Sequence, residues 1–580
     1  MDYKQAYNNW LSDPYIDADT KAELAAIAND EREIEDRFHQ TLEFGTGGLR
    51  GIMAAGTNRM NLYTLRSATQ GLANYILQEG GDLAKRGVVI AHDSRRNSAV
   101  FAKETALVLN GNGIKTFVFD GMRPTPMLSF AVRYLGCAAG IVITASHNPK
   151  EYNGYKVFWS DGAQVPYPQD EAIIAEVLKI TNFDQIKIAD ENEARKAGLY
   201  NVCGPDIDDE FIRRVMSTSQ NSSYAQQHGD ICIVYSPFNG AGGIFVKRAL
   251  REAGFTNVHI VKEQEQPDPN FTTIGYPNPE DPAAWTLPLE LARKECADIV
   301  LATDPDGDRL GVQAKNSGGG YTLLSGNQVG ALIAEYIVTE KQRQGTLPKH
   351  GAIISTIVSS RLTKEIAERA NVGYFETLTG FKHIGGKIRE LELANAKTPY
   401  EFLFGFEESI GYLAGTHGRD KDAIVAALLV CEIAAAYKAR GMTLLDGITE
   451  IYEKYGYFKE HTVSLSFQGI EGSRKISRMM EHFRNSPPKE IAGQQVLAIS
   501  DILTDERTDL TTGTRTSTGL PRSNVLLYEL ADNGRVAVRP SGTEPKIKFY
   551  FGVKGATQQE ADAKVNRLSE IILAQADSIE

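Results

Sequence analysis

Short β-branched runs that each give way to a polar loop and then a helical pattern recur along this chain, and that alternation constrains the fold more than anything else. Runs at 87–91, 115–119 and 140–143 read as strands, with a helix at 98–110 between the first two. The rhythm restarts after about residue 205 with strands at 231–234, 258–261 and 297–301 and a helix near 243–254. It restarts again at 352–354, 373–375 and 401–404, followed by a helix that begins near Asp422 and ends at Gly441. Strands alternating with helices call for layered α/β units, because each sheet must bury its apolar faces under helices. The first twenty to forty residues read as a helical, charged arm. The last hundred differ: 462–467 and 534–552 read as antiparallel strands and 558–574 as a closing helix, which is an α+β pattern. The expected architecture is three similar α/β domains with mixed sheets and a C-terminal α+β domain. The threonine-rich stretch 508–518 is only loosely patterned.

Bulk properties exclude several classes. With 580 residues the chain has room for about three to five domains. A net charge of −12 argues against a nucleic-acid-binding surface, so anionic ligands must be held by local cationic pockets. The five cysteines are scattered and form no C-x-x-C, which fits buried thiols in a reducing compartment. The N-terminus lacks a signal pattern, and the longest apolar run, 423–431, is too short to span a bilayer. These features predict a cytoplasmic protein without a membrane partner.

Four loops carry the chemistry. Thr144-Ala145-Ser146-His147-Asn148-Pro149 follows the strand at 139–143 and precedes Asn153-Gly154-Tyr155-Lys156. Ser-His-Asn-Pro is acceptable turn chemistry in its own right. Yet a strand here delivers a hydroxyl beside a histidine, with a lysine ten residues on, a setting suited to a phosphoryl group. The esterase pattern Gly-x-Ser-x-Gly is absent, since Ala145 and His147 flank Ser146. Thr303-Asp304-Pro305-Asp306-Gly307-Asp308-Arg309 presents alternating carboxylates that can converge on a hard cation such as Mg²⁺; Arg309 and Lys315 stand where an EF-hand needs glycine and glutamate. Gly405-Phe406-Glu407-Glu408-Ser409-Ile410-Gly411-Tyr412 reads as a loop suited to sugar hydroxyls. Arg539-Pro540-Ser541-Gly542-Thr543-Glu544-Pro545-Lys546 reads as a phosphate cradle. No nucleotide fingerprint survives: Gly45-Thr46-Gly47-Gly48-Leu49-Arg50 ends in arginine, and 380–387 fails the Walker spacing. The phosphate must therefore come from the substrate or from the enzyme.

In this order the loops resemble those of the α-D-phosphohexomutase superfamily, in its phosphoglucomutase/phosphomannomutase branch, over 45–551. The form of the motifs is similar to bacterial phosphoglucomutases and to relatives of phosphopentomutase-type enzymes. The resemblance implies four domains around one central cleft: a phosphoserine domain with its arm at 1–204, a metal-binding domain at 205–321, a sugar-binding domain at 322–455 and a phosphate-binding domain at 456–580. It implies Ser146 as the phosphorylated serine and Asp304, Asp306 and Asp308 as Mg²⁺ ligands, the seryl phosphate completing the site. Arg309 would steady the transferring phosphoryl group, His147 and Lys156 would assist proton transfer, and Arg50 with Thr46 would line the same centre. Glu407 and Ser409 would hold sugar hydroxyls, with Thr379 and Gly380 beside the sugar and Lys421 as a further cationic contact. Arg539, Ser541, Gly542, Thr543 and Lys548 would hold the distal phosphate.

The implied activity is interconversion of glucose 1-phosphate and glucose 6-phosphate through a bisphosphorylated sugar, with glucose 1,6-bisphosphate as activator. Mannose or pentose phosphates, and synthesis of glucose 1,6-bisphosphate, are the neighbouring alternatives. A metal-dependent phosphatase and a non-catalytic sugar-phosphate sensor are more distant ones; the sensor would be marked by loss of Ser146 or a carboxylate, and none is missing. Partners are expected to be small sugar phosphates, and the protein a monomer or small homo-oligomer. One departure is Pro305, where many members carry glycine; proline fixes φ and has no N–H.

Overall fold

A computed structural model describes residues 2–42, 48–393, 400–467, 469–541 and 546–579. The chain forms two compact units, each assembled from separated stretches: 1–326 with 381–444, and 327–380 with 445–580.

The first unit opens with helices Tyr3–Ser12, Ala18–Ala26 and Glu31–Phe38, capped by the side chains of Asp2, Asp17 and Asp30. Their apolar faces bury Tyr7, Trp10, Leu24 and Phe38 against Tyr63 and Phe183. A six-stranded sheet follows, in the order Gly48–Ile52, Tyr152–Trp159, Ala139–Ile143, Val88–His92, Thr116–Phe119, Tyr200–Cys203. The last four are parallel, and Tyr152–Trp159 runs antiparallel to both of its neighbours. Strand Ala139–Ile143 is buried along its whole length, which explains why it reads as one continuous apolar run rather than an alternating one.

A five-stranded sheet orders Tyr321–Leu323, Leu310–Lys315, Ile299–Thr303, Ile233–Ser236 and Val258–Ile260. Its last three strands are parallel, while Leu310–Lys315 turns back antiparallel on Ile299–Thr303. The first unit also holds the hairpin Glu401–Glu407 and Gly411–Ala414, beside helices Phe381–Leu393 and Ala423–Lys438. The expected loop at 405–412 is thus mostly strand, and only 408–410 turns. Helix Ala423–Lys438 starts on the Asp422 cap as expected but stops before Gly441. Every residue from Ala423 to Ala435 is buried, and the helix packs against helices Pro205–Met216, Ser222–His228 and Gly242–Ala253. Apolar on every face except at Glu432, which accepts from Ser219 and the Gln220 and Asn221 amides, its sequence is that of an interior helix. Among the described residues no helix is long and apolar enough to cross a membrane.

The second unit pairs Gly351–Thr356 in parallel with Gly373–Thr377, flanked by helices Gly326–Arg343 and Leu362–Arg369. Its C-terminal sheet is antiparallel, in the order Tyr457–Ser466, Lys546–Gly555, Arg535–Pro540, Leu526–Leu530, Gln494–Asp501, Glu506–Asp509, Arg515–Thr516. The stretch 508–518 therefore contributes to the last two strands of the sheet, Glu506–Asp509 and the edge strand Arg515–Thr516, which its threonines suit. Helices Gly469–Asn485 and Gln558–Asp577 supply Met479, Phe483, Leu568 and Ile572 to a core that takes Tyr528, Phe549 and Phe551 from the sheet.

Candidate active site

Two parallel strands of the first unit end at the same place. Ala139–Ile143 leads into Ser146, and Ile299–Thr303 leads into Asp304. Ser146 Oγ donates to Asp304 Oδ2 at 2.7 Å and lies 3.2 Å from His147 Nδ1. Ser146 has φ +52°, a left-handed conformation that is uncommon outside glycine, asparagine and aspartate. Gly307 has φ +64° and lets the acidic loop reverse tightly. At Gly154, opposite Arg50 in the sheet, an added Cβ would stand 2.5 Å from Thr144 O, so only glycine allows the strand to approach the serine loop.

Asp304, Asp306 and Asp308 are all buried, and a carboxylate oxygen from each lies within 4.8 Å of the others. Burial and the two neighbouring carboxylates push the Asp304 carboxyl well above its ordinary range. Burial would also raise Asp306, but the Lys156 ammonium at 2.7 Å and the Thr125 hydroxyl at 2.8 Å hold it well below. Lys156 Nζ is 3.3 Å from Asp308 Oδ2, and Lys421 Nζ is 3.4 Å from the same atom. Asp306 Oδ1 and Asp308 Oδ1 are buried without a hydrogen-bond partner. Three converging oxygen donors, two of them with an orphaned oxygen, match what a hard divalent cation such as Mg²⁺ takes.

The surroundings are cationic. Arg309 Nη1 donates to Ser409 O at 3.2 Å and is 3.4 Å from Glu280 Oε2. Desolvation would weaken its charge, but Glu280 and Asp308 raise the guanidinium further. Arg50 Nη1 donates to Asn148 Oδ1 at 2.9 Å. Burial, with Arg309 and Arg50 nearby, drives the His147 imidazole well below its ordinary pKa, so it is neutral at pH 7 and able to take a proton. Ser409 Oγ donates to Glu407 Oε1 at 3.1 Å, Lys421 Nζ is 4.0 Å from Glu407, and Leu310 N–H donates to Ile410 O at 3.1 Å. The hairpin turn 408–410 is thereby tied to the acidic loop. Pro305 gives its carbonyl to Ala241 N–H at 2.8 Å, so the proline is built into the wall of the loop.

Ser146, His147, Lys156, Arg50, Asp304, Asp306, Asp308, Arg309, Glu407, Ser409 and Lys421 thus form one connected cluster. Thr379 and Gly380 belong to the second unit, just after strand Gly373–Thr377, and Gly380 has φ +106°. In the same unit Arg539 stands directly opposite Lys548 in the ladder, which puts two cationic side chains on one face, and Ser541 N–H donates to Lys546 O at 2.7 Å. Arg539 itself lies in a strand, not a loop. Thr46, Gly542 and Thr543 lie outside the described residues. Sequence reasoning missed Thr125, which binds Asp306 by both side chain and backbone, and Glu280, which balances Arg309. Pro124-Thr125-Pro126 is a detectable turn signal; Glu280 has none.

Matches to known proteins agree with this arrangement. Models of phosphoglucomutase/phosphomannomutase α/β/α domains I, II and III match residues 41–184, 209–319 and 325–455, and the C-terminal domain model matches 493–568. The chain belongs to the phosphoglucomutase/phosphomannomutase family, within the α-D-phosphohexomutase superfamily, and is an isomerase of the phosphotransferase kind. It is 37% identical over 538 residues to a phosphoglucomutase of Staphylococcus aureus strain MRSA252, covering 92% of this chain and 94% of that one. The fold is shared with pp63/parafusin, a phosphoglucomutase of Paramecium solved in an open form (TM-score 0.66, 18% identity, 92% and 95% coverage). It is shared equally with a phosphoglucomutase/phosphomannomutase family protein of Burkholderia thailandensis (TM-score 0.63, 19% identity, 92% and 97% coverage).

Proposed function

We propose that this protein interconverts glucose 1-phosphate and glucose 6-phosphate by way of a phosphorylated Ser146. The observation that carries the reading is the placement of a strand-end serine hydroxyl 2.7 Å from a buried carboxylate of a three-aspartate cluster, with Lys156 and Arg309 at its edge. Phosphoserine at this position donates its phosphoryl group to the free hydroxyl of a sugar monophosphate. The resulting bisphosphate turns around and returns its other phosphate to Ser146. Phosphoryl transfer needs alignment and charge stabilisation more than covalent chemistry.

Asp304, Asp306 and Asp308 would hold Mg²⁺, which when bound supplies positive charge against the phosphoryl oxygens. Arg309 orients those oxygens, and Arg50 lines the same centre with Thr46. Neutral His147 takes the proton of the attacking hydroxyl, and the Lys156 ammonium assists by stabilising the oxygen as that proton leaves. Glu407 and Ser409 orient the sugar through its hydroxyls, with Thr379, Gly380 and Lys421 as further contacts, and Arg539, Ser541, Gly542, Thr543 and Lys548 take the distal phosphate. The corresponding domain division is 1–204, 205–321, 322–455 and 456–580. Glucose 1,6-bisphosphate primes Ser146 when it has lost its phosphate.

The test is turnover of glucose 1-phosphate with Mg²⁺ and a trace of glucose 1,6-bisphosphate. Glucose 6-phosphate should form, stop on chelation, return with added Mg²⁺, and be absent in Ser146→Ala. Turnover of mannose 1-phosphate or ribose 1-phosphate but not glucose 1-phosphate would reassign the sugar, and release of inorganic phosphate alone would replace the mutase reading with a phosphatase.

A further inference from the structure

Asp93 and Arg95 lie in the loop after strand Val88–His92 and have no part in the chemistry above. Arg95 is 3% exposed and Asp93 1%. The Arg95 guanidinium donates to four backbone carbonyls of the serine loop: Nη1 to Pro149 O at 2.8 Å and Tyr152 O at 3.1 Å, Nη2 to Ser146 O at 2.6 Å and also to Asn148 O. Asp93 holds it from behind, with Oδ2 3.2 Å from Arg95 Nε and Oδ1 accepting the Arg95 N–H at 2.9 Å. The Phe271 ring covers the guanidinium at 5.1 Å. The amide side of the serine is tied to the same carboxylate: Ser146 N–H donates to Thr144 Oγ1 at 2.8 Å, and that hydroxyl donates to Asp93 Oδ2 at 2.6 Å. Both the N–H and the carbonyl of Ser146 are therefore anchored to one buried ion pair, around a residue held at φ +52°.

We propose that Arg95, seated by Asp93, is the positioning residue that fixes the Ser146 hydroxyl against the aspartate cluster. The inference rests on Ser146 being the phosphoryl carrier. All four carbonyls belong to 146–152 and none to a sheet interior, so the clamp sets the aim of one loop. A planar guanidinium can span four acceptors in two directions; an ammonium cannot. Misplacing the reacting oxygen by about an ångström costs about a hundredfold in rate, while residues proposed to grip the substrate are untouched.

The test compares Arg95→Lys and Thr144→Val with wild type. Thr144→Val leaves the Arg95–Asp93 pair in place and carries the test if Arg95→Lys does not fold. Arg95→Lys should lower kcat about a hundredfold with KM for glucose 1-phosphate within about twofold, and Thr144→Val should lower kcat about tenfold with the same signature. Amide hydrogen exchange should speed up at least about tenfold over 144–152 while strand 139–143 keeps its protection. A kcat within about threefold of wild type, a KM rise at unchanged kcat, or unchanged exchange in the loop overturns the inference. If wild type does not turn over glucose 1-phosphate, the proposed function fails, and exchange alone then decides the role of Arg95.

Discussion

Replacing Lys156 with methionine tests the charge balance of the site directly. Its ammonium lies 2.7 Å from Asp306 Oδ2 and 3.3 Å from Asp308 Oδ2, and both carboxylates are essentially closed to solvent. At an effective dielectric constant of about 20, a charge pair at such distances attracts by about 5–6 kcal/mol. Much of that offsets the cost of taking the ions out of water, and breaking a buried pair by deleting one partner typically costs about 3–5 kcal/mol. Lys421 remains 3.4 Å from Asp308, which places the expected loss at the low end, about 3 kcal/mol. The loss should be specific to metal-free protein, because a divalent cation among the carboxylates restores the missing charge. Urea unfolding with EDTA and with millimolar Mg²⁺ reads both quantities. The expected result is a destabilised Lys156→Met protein in EDTA and a larger Mg²⁺-induced stabilisation than in wild type. A variant within about 0.5 kcal/mol of wild type in EDTA, or an equal Mg²⁺ effect in both proteins, would refute the reasoning.

Asp422→Ala should cost about 1–2 kcal/mol or more by urea or thermal unfolding. It removes the caps on Ile424 N–H and Val425 N–H and leaves His417, 2.9 Å away, without its carboxylate. Burial pushes the Glu460 carboxyl up to about 7, against the opposing hydrogen bond from Ser360. The folded protein thus holds a proton that the unfolded chain has released, and stability should fall by about 2–3 kcal/mol as pH rises from 4.5 to 7. Glu460→Gln should flatten that slope, and identical pH profiles in both proteins would exclude it. Burial pushes the Cys137 and Cys203 thiols up to about 12, whereas Cys296 is exposed. One thiol per native chain should react with a disulfide reagent at pH 7.5, and all five after denaturation.

The parts of the fold legible in the sequence are those set locally. The apolar run at 139–143 and the strand expected at 297–301, observed at 299–303, announce buried strands, and polar loops at their carboxyl ends mark where ligands bind in open α/β sheets. The Asp422 cap and the interior helix after it follow from the same local signals. What was not legible depends on partners distant in sequence. Thr125 meets Asp306 across 181 positions and Lys156 meets it across 150, and no periodicity reports such a pairing. The 405–412 segment misled because Gly405 and Gly411 suggest a loop; Gly405 fits against Ile384 and Phe402, where a Cβ would come within 2.9 Å of Ile384. The stretch 508–518 carries only a loose pattern because short strands near a sheet edge need little apolar periodicity.

Helix Ala423–Lys438 has a consequence for how the chain is made. Its partner Gly242–Ala253 leaves the ribosome about 170 residues earlier, a gap of about 10–30 s at ordinary rates of synthesis. Throughout that interval the faces of the earlier helices that will receive it are uncovered, and the newly exported helix, apolar around its girth but for Glu432, cannot persist in water by itself. The waiting surface is a natural client for chaperones during translation, and a synonymous codon change that lengthens the delay would lower the yield of folded protein without altering a single residue.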